Sequence, residues 1–230
     1  MLRFGSLAFA ILGMCLAGSV QAHDGEHKSP PATGSGPAAA YAFPLPEPGS
    51  YRLPPIRVAA GGAALTAEGA SVDLATLLRG RITVFSFIYT RCADICPIAT
   101  MQLAQLRELA RRYPEIASRL RLVSMSFDPE HDTPPVMADY GSHWRDAGDG
   151  GSEWLFLTAA DQAALRPILA AYDQAVAPDP DPNDPTGGLN HILRVFLIDE
   201  AGLVRNIYSM DFLDPELVMR DIRTVAAEPR

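Results

Sequence analysis

The sequence predicts an α/β protein in three layers, a central mixed sheet with helices on both faces. Three observations carry this reading. Arg81 to Tyr89 (RITVFSFIY) is a near-continuous β-branched and aromatic run, which suits a strand covered on both sides. Strand-like and helical segments then alternate, the pattern of a layered α/β domain. Near the C-terminus, Arg194–Asp199 and Leu203–Tyr208 flank Glu200-Ala201-Gly202 and read as a hairpin.

Each element follows from local chemistry. Arg57 to Ala60 and Ala64 to Ala67, joined through Gly61-Gly62, read as a short N-terminal hairpin. Asp73 to Leu78 is a single helical turn ending at Gly80. Pro97 to Tyr113 has apolar residues at helical spacing (Ile98, Met101, Leu103, Leu106, Leu109, Ala110) and a proline in its first turn. Leu120 to Phe127 is a second buried-type strand. Thr133-Pro134 offers N-cap and N1 chemistry for a helix from Pro135 to about Trp144. A Gly-rich break, Gly148 to Gly151, precedes a short strand at Trp154–Leu157, and Asp161 to Tyr172 is helical. A proline- and acid-rich loop, Ala177 to Gly188, leads to the C-terminal hairpin, and Asp214-Pro215 opens a last helix to about Ala226.

With 48% apolar and 20% charged residues in 230, the chain has ample surface to bury and is not disordered as a whole. A net charge of −8 argues against a nucleic-acid partner. Residues 1–22 (MLRFGSLAFAILGMCLAGSVQA) have a basic Arg3, an apolar core from Leu7 to Leu16 and a Val20-Gln21-Ala22 end that a signal peptidase accepts. Cleavage there is the expectation, with export to the periplasm. The competing reading, an uncleaved membrane anchor, has only the 17 uncharged residues Phe4 to Val20 to span with. Residues 23–49, rich in Pro, Gly, Ser and His, read as a flexible tether, and 50–230 as one domain.

The three cysteines are Cys15, Cys92 and Cys96. Cys15 leaves with the leader, so a mature exported chain keeps one close pair, which is too little for a disulfide-stapled scaffold. The pair sits where the first buried strand hands over to a proline-started helix. In α/β sheets ligand chemistry gathers at the carboxyl ends of strands, and a helix N-terminus favours thiolates. Three intervening residues permit either a disulfide or joint binding of one soft metal ion.

A third ligand to two thiolates is most often histidine. His23 and His27 lie in the tether, where an amino-terminal His23 could chelate copper. His131 reads as a surface-loop residue and His143 as a packing or capping residue at a helix end. His191 stands between the Gly187-Gly188 loop and an apolar strand. On the residues alone it serves equally as a structural histidine or as a ligand. Met101, Met125, Met137, Met210 and Met219 fall within the periodic segments and read as core. Asp179, Asp181 and Asp184 imitate a calcium loop only weakly, because prolines interrupt it and its sixth position lacks Gly.

Four ordered runs then converge. Val84-Phe-Ser-Phe-Ile-Tyr89 with Thr90-Arg-Cys-Ala-Asp-Ile-Cys-Pro97, Ser126-Phe-Asp-Pro-Glu-His-Asp-Thr-Pro134, Trp154-Leu-Phe-Leu-Thr158, and Asn190-His-Ile-Leu-Arg-Val-Phe-Leu-Ile-Asp199 closely resemble the signature of the Sco/SenC copper proteins. The likeness runs from about Tyr51 to Ala226. It implies a thioredoxin-like fold and a copper site, one ion per chain, made by Cys92, Cys96 and His191. Asp94 and Asp128 also match motif positions and read as supporting residues.

The implied function is that of a copper metallochaperone rather than a turnover enzyme. It would serve the binuclear copper centre of a cytochrome c oxidase, with an oxidase subunit and periplasmic thiol-disulfide or copper-donor proteins as partners. Membrane contact comes only through an uncleaved leader or through those partners. Two alternatives stand beside it: a thiol–disulfide oxidoreductase acting on partner cysteines, and a redox or copper-sensing protein. The C-x-x-x-C spacing, and the lack of proline in Leu189-Asn190-His191, favour copper over pure thiol exchange.

Overall fold

The computed structural model describes residues 44–92, 95–144, 151–178 and 189–228, all within a unit spanning Tyr41–Arg230. The expected leader with Cys15, the tether through residue 43 with His23 and His27, Asp94, the glycines at 148–150 and the acidic loop 179–188 lie outside the described residues. The strands are β1 (Arg57–Val58), β2 (Ala63–Thr66), β3 (Ser71–Asp73), β4 (Ile82–Ile88), β5 (Leu120–Ser126), β6 (Glu153–Thr158), β7 (Val176–Pro178), β8 (Leu189–His191), β9 (Val195–Ile198) and β10 (Leu203–Tyr208). The helices are α1 (Leu74–Leu77), α2 (Ile95–Ala110), α3 (Pro114–Ala117), α4 (Pro134–Ser142), α5 (Gln162–Ala171) and α6 (Pro215–Ala226).

Eight strands form one mixed sheet in the order β1-β10-β9-β4-β5-β6-β2-β3, and β7 and β8 form a separate ribbon. β4, β5 and β6 run parallel, while β9 pairs antiparallel with β4. All seven residues of β4 and all four of β9 are buried, which is why their sequences read as unbroken apolar runs. Alternation divides the two faces. Phe85 and Phe87 point to one side, where they meet Tyr172 at the end of α5 and Phe196 of β9. Ser86 and Ser124 point to the other, toward α4, whose Tyr140 packs edge-on against Phe156 and bonds Thr100 of α2. α6 packs on α2 on that same side. Asp73, Asp161 and Asp214 each cap a helix by accepting backbone N–H groups, as their positions predict.

The N-terminal hairpin is corrected. β1 pairs with β10 (Arg57↔Val204), and β2 pairs with β3 and β6 instead. Gly61-Gly62 is not a hairpin turn but a crossing beneath α5, from one part of the sheet to another. Gly62 has φ +150, and a Cβ there would lie 2.6 Å from Ile168 of α5. The missing side chains allow close passage, and turn chemistry alone does not reveal that. The contacts of the folded unit also reach into the expected tether: Arg220 of α6 donates to the Pro46 carbonyl, and the Gly49 amide donates to Thr224 Oγ1. Among the methionines, Met125, Met137 and Met219 are buried, but Met101 is 43% exposed, because its position on α2 turns outward.

Candidate metal centre

Cys92, Cys96 and His191 meet at one end of the sheet. β4 ends at Ile88, and the chain turns so that the Cys92 amide donates to the Tyr89 carbonyl. α2 then begins at Ile95, one residue before Cys96, so Cys96 lies inside the first turn rather than at the cap. Its amide donates to Cys92 Sγ at 3.4 Å. The two cysteines are not joined in a disulfide, and both are buried, with Cys92 8% and Cys96 1% exposed.

His191 comes from the ribbon, at the end of β8 and opposite Val176. Its Nε2 lies 3.9 Å from Cys96 Sγ, across 95 residues of sequence. With metal–sulfur and metal–imidazole bonds of about 2.3 and 2.0 Å, a sulfur and a nitrogen sharing one ion at 120° stand about 3.7 Å apart. The observed separation therefore fits a shared ion with little movement. The imidazole packs on Phe127 (4.6 Å between ring centres) and edge-on against Tyr89 (6.0 Å), and Tyr89 Oη donates to the Leu189 carbonyl.

The electrostatics suit a resting thiol–imidazole set. A hydrogen bond with Cys92, then burial, push the Cys96 thiol well above its ordinary range, so it stays protonated until a cation replaces the proton. Burial holds His191 below its usual value, leaving a neutral ring with a lone pair to offer.

Sequence reasoning missed the residue that braces this end of the sheet. Asp132 is fully buried and accepts from the Thr90 amide (3.0 Å) and hydroxyl, from the Ser126 hydroxyl (2.6 Å) and from His131 Nδ1 (3.0 Å). It thereby joins the ends of β4 and β5. The signals for it were its place in a polar run straight after a buried strand and within the Ser126–Pro134 run that matches the family signature. His131 is exposed, as read, and Asp128 pairs with Arg91 at 2.7 Å. Asp128, His131 and Asp132 lie close enough together to imitate a metal cluster, but both Asp132 oxygens, one Asp128 oxygen and His131 Nδ1 are engaged in these bonds. His143 caps α4 by bonding the Asp139 carbonyl.

A family model for SCO1/SenC matches residues 64–227. The chain belongs to the SCO1/SenC family. This SCO1/SenC protein is 26% identical over 142 residues to the SCO1 protein homolog of Bacillus subtilis, covering 62% of this chain and 68% of that one. Its fold matches Arabidopsis thaliana ScoI, solved with copper bound, at TM-score 0.64 and 17% identity, over 74% of this chain and 98% of that one. It also matches BsSco, described as a member of the Sco family of cytochrome c oxidase assembly proteins with a disulfide switch. There the TM-score is 0.62 at 21% identity, over 78% of this chain and the whole of that one. The fold is thus thioredoxin-like, as the resemblance implied. Among the described residues, no helix is long and apolar enough to cross a membrane.

Proposed function

We propose that this SCO1/SenC chain is a periplasmic copper carrier that holds one ion through Cys92, Cys96 and His191. It hands that ion to the copper centre of a cytochrome c oxidase during assembly. The observation that carries the reading is the 3.9 Å approach of His191 Nε2 to Cys96 Sγ, at the end of the sheet where the two thiols already lie together. Disulfide exchange with partner cysteines needs no imidazole there, so the histidine sets copper above the oxidoreductase alternative. The names of the relatives agree: one is solved with copper bound, and another belongs to an oxidase-assembly family. Two thiolates and an imidazole suit Cu(I) in three-coordinate form, and Cu(II) with one added oxygen or nitrogen ligand.

In this reading each element has a task. The β4–α2 junction supplies both sulfurs from one short segment, so they move as a unit. The ribbon brings the imidazole from outside the main sheet, and Phe127 holds its plane. The leader 1–22 exports the chain, the residues after it tether it, and the working domain takes in the last of the expected 23–49 tether, where Pro46 and Gly49 bond to α6, together with 50–230. Oxidation of the thiols to a disulfide removes both sulfur ligands at once, which couples loading to redox state.

Copper titration of the reduced protein tests this. Wild type binds one equivalent and develops thiolate-to-Cu(II) absorption, and His191→Ala loses most of its Cu(II) affinity. Unchanged binding by the variant removes His191 from the site and returns thiol exchange to first place.

A further inference from the structure

Among the described residues, the ribbon that carries His191 is a two-stranded sheet with no pairing to the main one, and such a ribbon is marginally stable by itself. Tyr89 and Phe127 hold its β8 side, and Val176 and Leu189 pack on the core, while its base is held at one residue. Among the described residues, Asp173 is the only non-glycine with positive φ (+52), in the left-handed region where L side chains are uncommon and Asp is among the better tolerated. There the chain leaves the C-cap of α5 and turns into β7, whose first residue, Val176, lies opposite His191.

Two arginines reach Asp173 from different parts of the fold. Arg57 of β1 donates from Nη1 to the carboxylate at 2.6 Å, and Arg194 donates from Nη1 to the backbone carbonyl at 2.6 Å. Arg194 lies three residues beyond His191, and Asp173 three before Val176. The incoming and outgoing strands of the ribbon are therefore tied together at their base, and that base is tied to β1 of the main sheet. We propose that Asp173 is a positioning residue, whose clamp by Arg57 and Arg194 holds the ribbon so that His191 faces Cys96. The inference rests on the reading of His191 as a ligand.

The clamp is partly open to solvent, with the Arg57 and Asp173 side chains 31% and 62% exposed. An exposed pair adds little to global stability. Its effect belongs in the placement of the ribbon rather than in the unfolding midpoint, and this separates a positioning role from a merely structural one.

The test uses Asp173→Gly, which tolerates positive φ without the carboxylate, Asp173→Asn, which keeps a side-chain oxygen, and Arg194→Met. In the reduced, metal-free protein the His191 ring signal is followed by proton–carbon NMR and assigned by its loss in His191→Gln. In wild type its packing on Phe127 shifts it away from free-histidine values. In Asp173→Gly and Arg194→Met it moves back toward them, Asp173→Asn restores most of the shift, and the urea midpoint stays at the wild-type value. Titrated with copper, the first two variants bind Cu(II) about tenfold more weakly, the scale of losing an outer-shell support. A ring signal unmoved in both variants overturns the proposal, as does a ring signal that moves only with an equal fall in urea midpoint. If wild type fails to bind copper through His191, the functional reading falls while the ring signal still decides the clamp.

Discussion

Replacing Asp132 by alanine removes the acceptor at the junction of β4 and β5. Its carboxylate is fully buried and takes the Thr90 amide, the Thr90 hydroxyl, the Ser126 hydroxyl and His131 Nδ1. Hydrogen bonds to a buried charge contribute roughly 1.5–3 kcal/mol each, and donors left without an acceptor keep their desolvation penalty. Loss of the Thr90 and Ser126 bonds would exceed about 4.5 kcal/mol if they were independent. They share one carboxylate, the hydroxyls can rotate to other acceptors, and the cost of burying the charge disappears with it. A net loss of about 3–5 kcal/mol follows, the range for breaking a buried charged network. For a domain of this size that lowers Tm by roughly 10 °C. Urea unfolding is the assay, with the midpoint falling and the slope unchanged. Asp132→Asn keeps one carbonyl oxygen and loses less than the alanine variant. A cycle with Ser126→Ala shows a coupling of about 1 kcal/mol or more. A loss below about 1 kcal/mol in Asp132→Ala, or additive behaviour with Ser126→Ala, refutes the bracing role.

Two further outcomes follow from the core. Phe196 is fully buried against Tyr172, Phe85 and Phe87, so Phe196→Ala costs about 3–5 kcal/mol by urea unfolding, and a loss under about 2 kcal/mol means the rings close over the space. At high pH the tyrosines decide: burial and then the Asp221 hydrogen bond push Tyr51 up to about 12, and burial raises Tyr172 and Tyr208. The unfolded chain gives up phenol protons near pH 10 while the folded chain keeps them, so stability is intact below about pH 10 and falls as pH rises through the folded values. A urea midpoint level from pH 9 to 11.5 contradicts this.

The main sheet was legible because β4, β5 and β9 are buried on both faces, and their residues say so without reference to any partner. The β9–β10 hairpin was legible because its turn is local. Arg57–Ala60 and Ala64–Ala67 do not pair as read because the pairings of β1 and β2 are long-range, and Gly61-Gly62 has the same composition whether it turns a hairpin or slips beneath a helix. The same division holds at the site. Cys92 and Cys96 announce themselves from a strand-to-helix junction. His191 gains its meaning only from a contact 95 residues away, so the residues alone left it open and the family likeness settled the expectation. The β7–β8 ribbon went unseen, since three-residue strands beside a proline-acid loop carry too little pattern to register. Asp132 was passed over because a buried carboxylate and a loop carboxylate look identical in a sequence.

The span from Cys96 to His191 also bears on how the loaded protein behaves as a polymer. An ion shared by these residues closes a loop of 95 residues, linking the start of α2 to a ribbon that forms late in the chain order. By the argument used for disulfides, a cross-link of that length removes roughly 4–5 kcal/mol of conformational freedom from the unfolded ensemble. On the proposed function, the cargo is then a removable rivet. The protein is tightest while it carries the ion and slackens on handing it over, so release leaves an empty carrier with a measurably different resistance to unfolding.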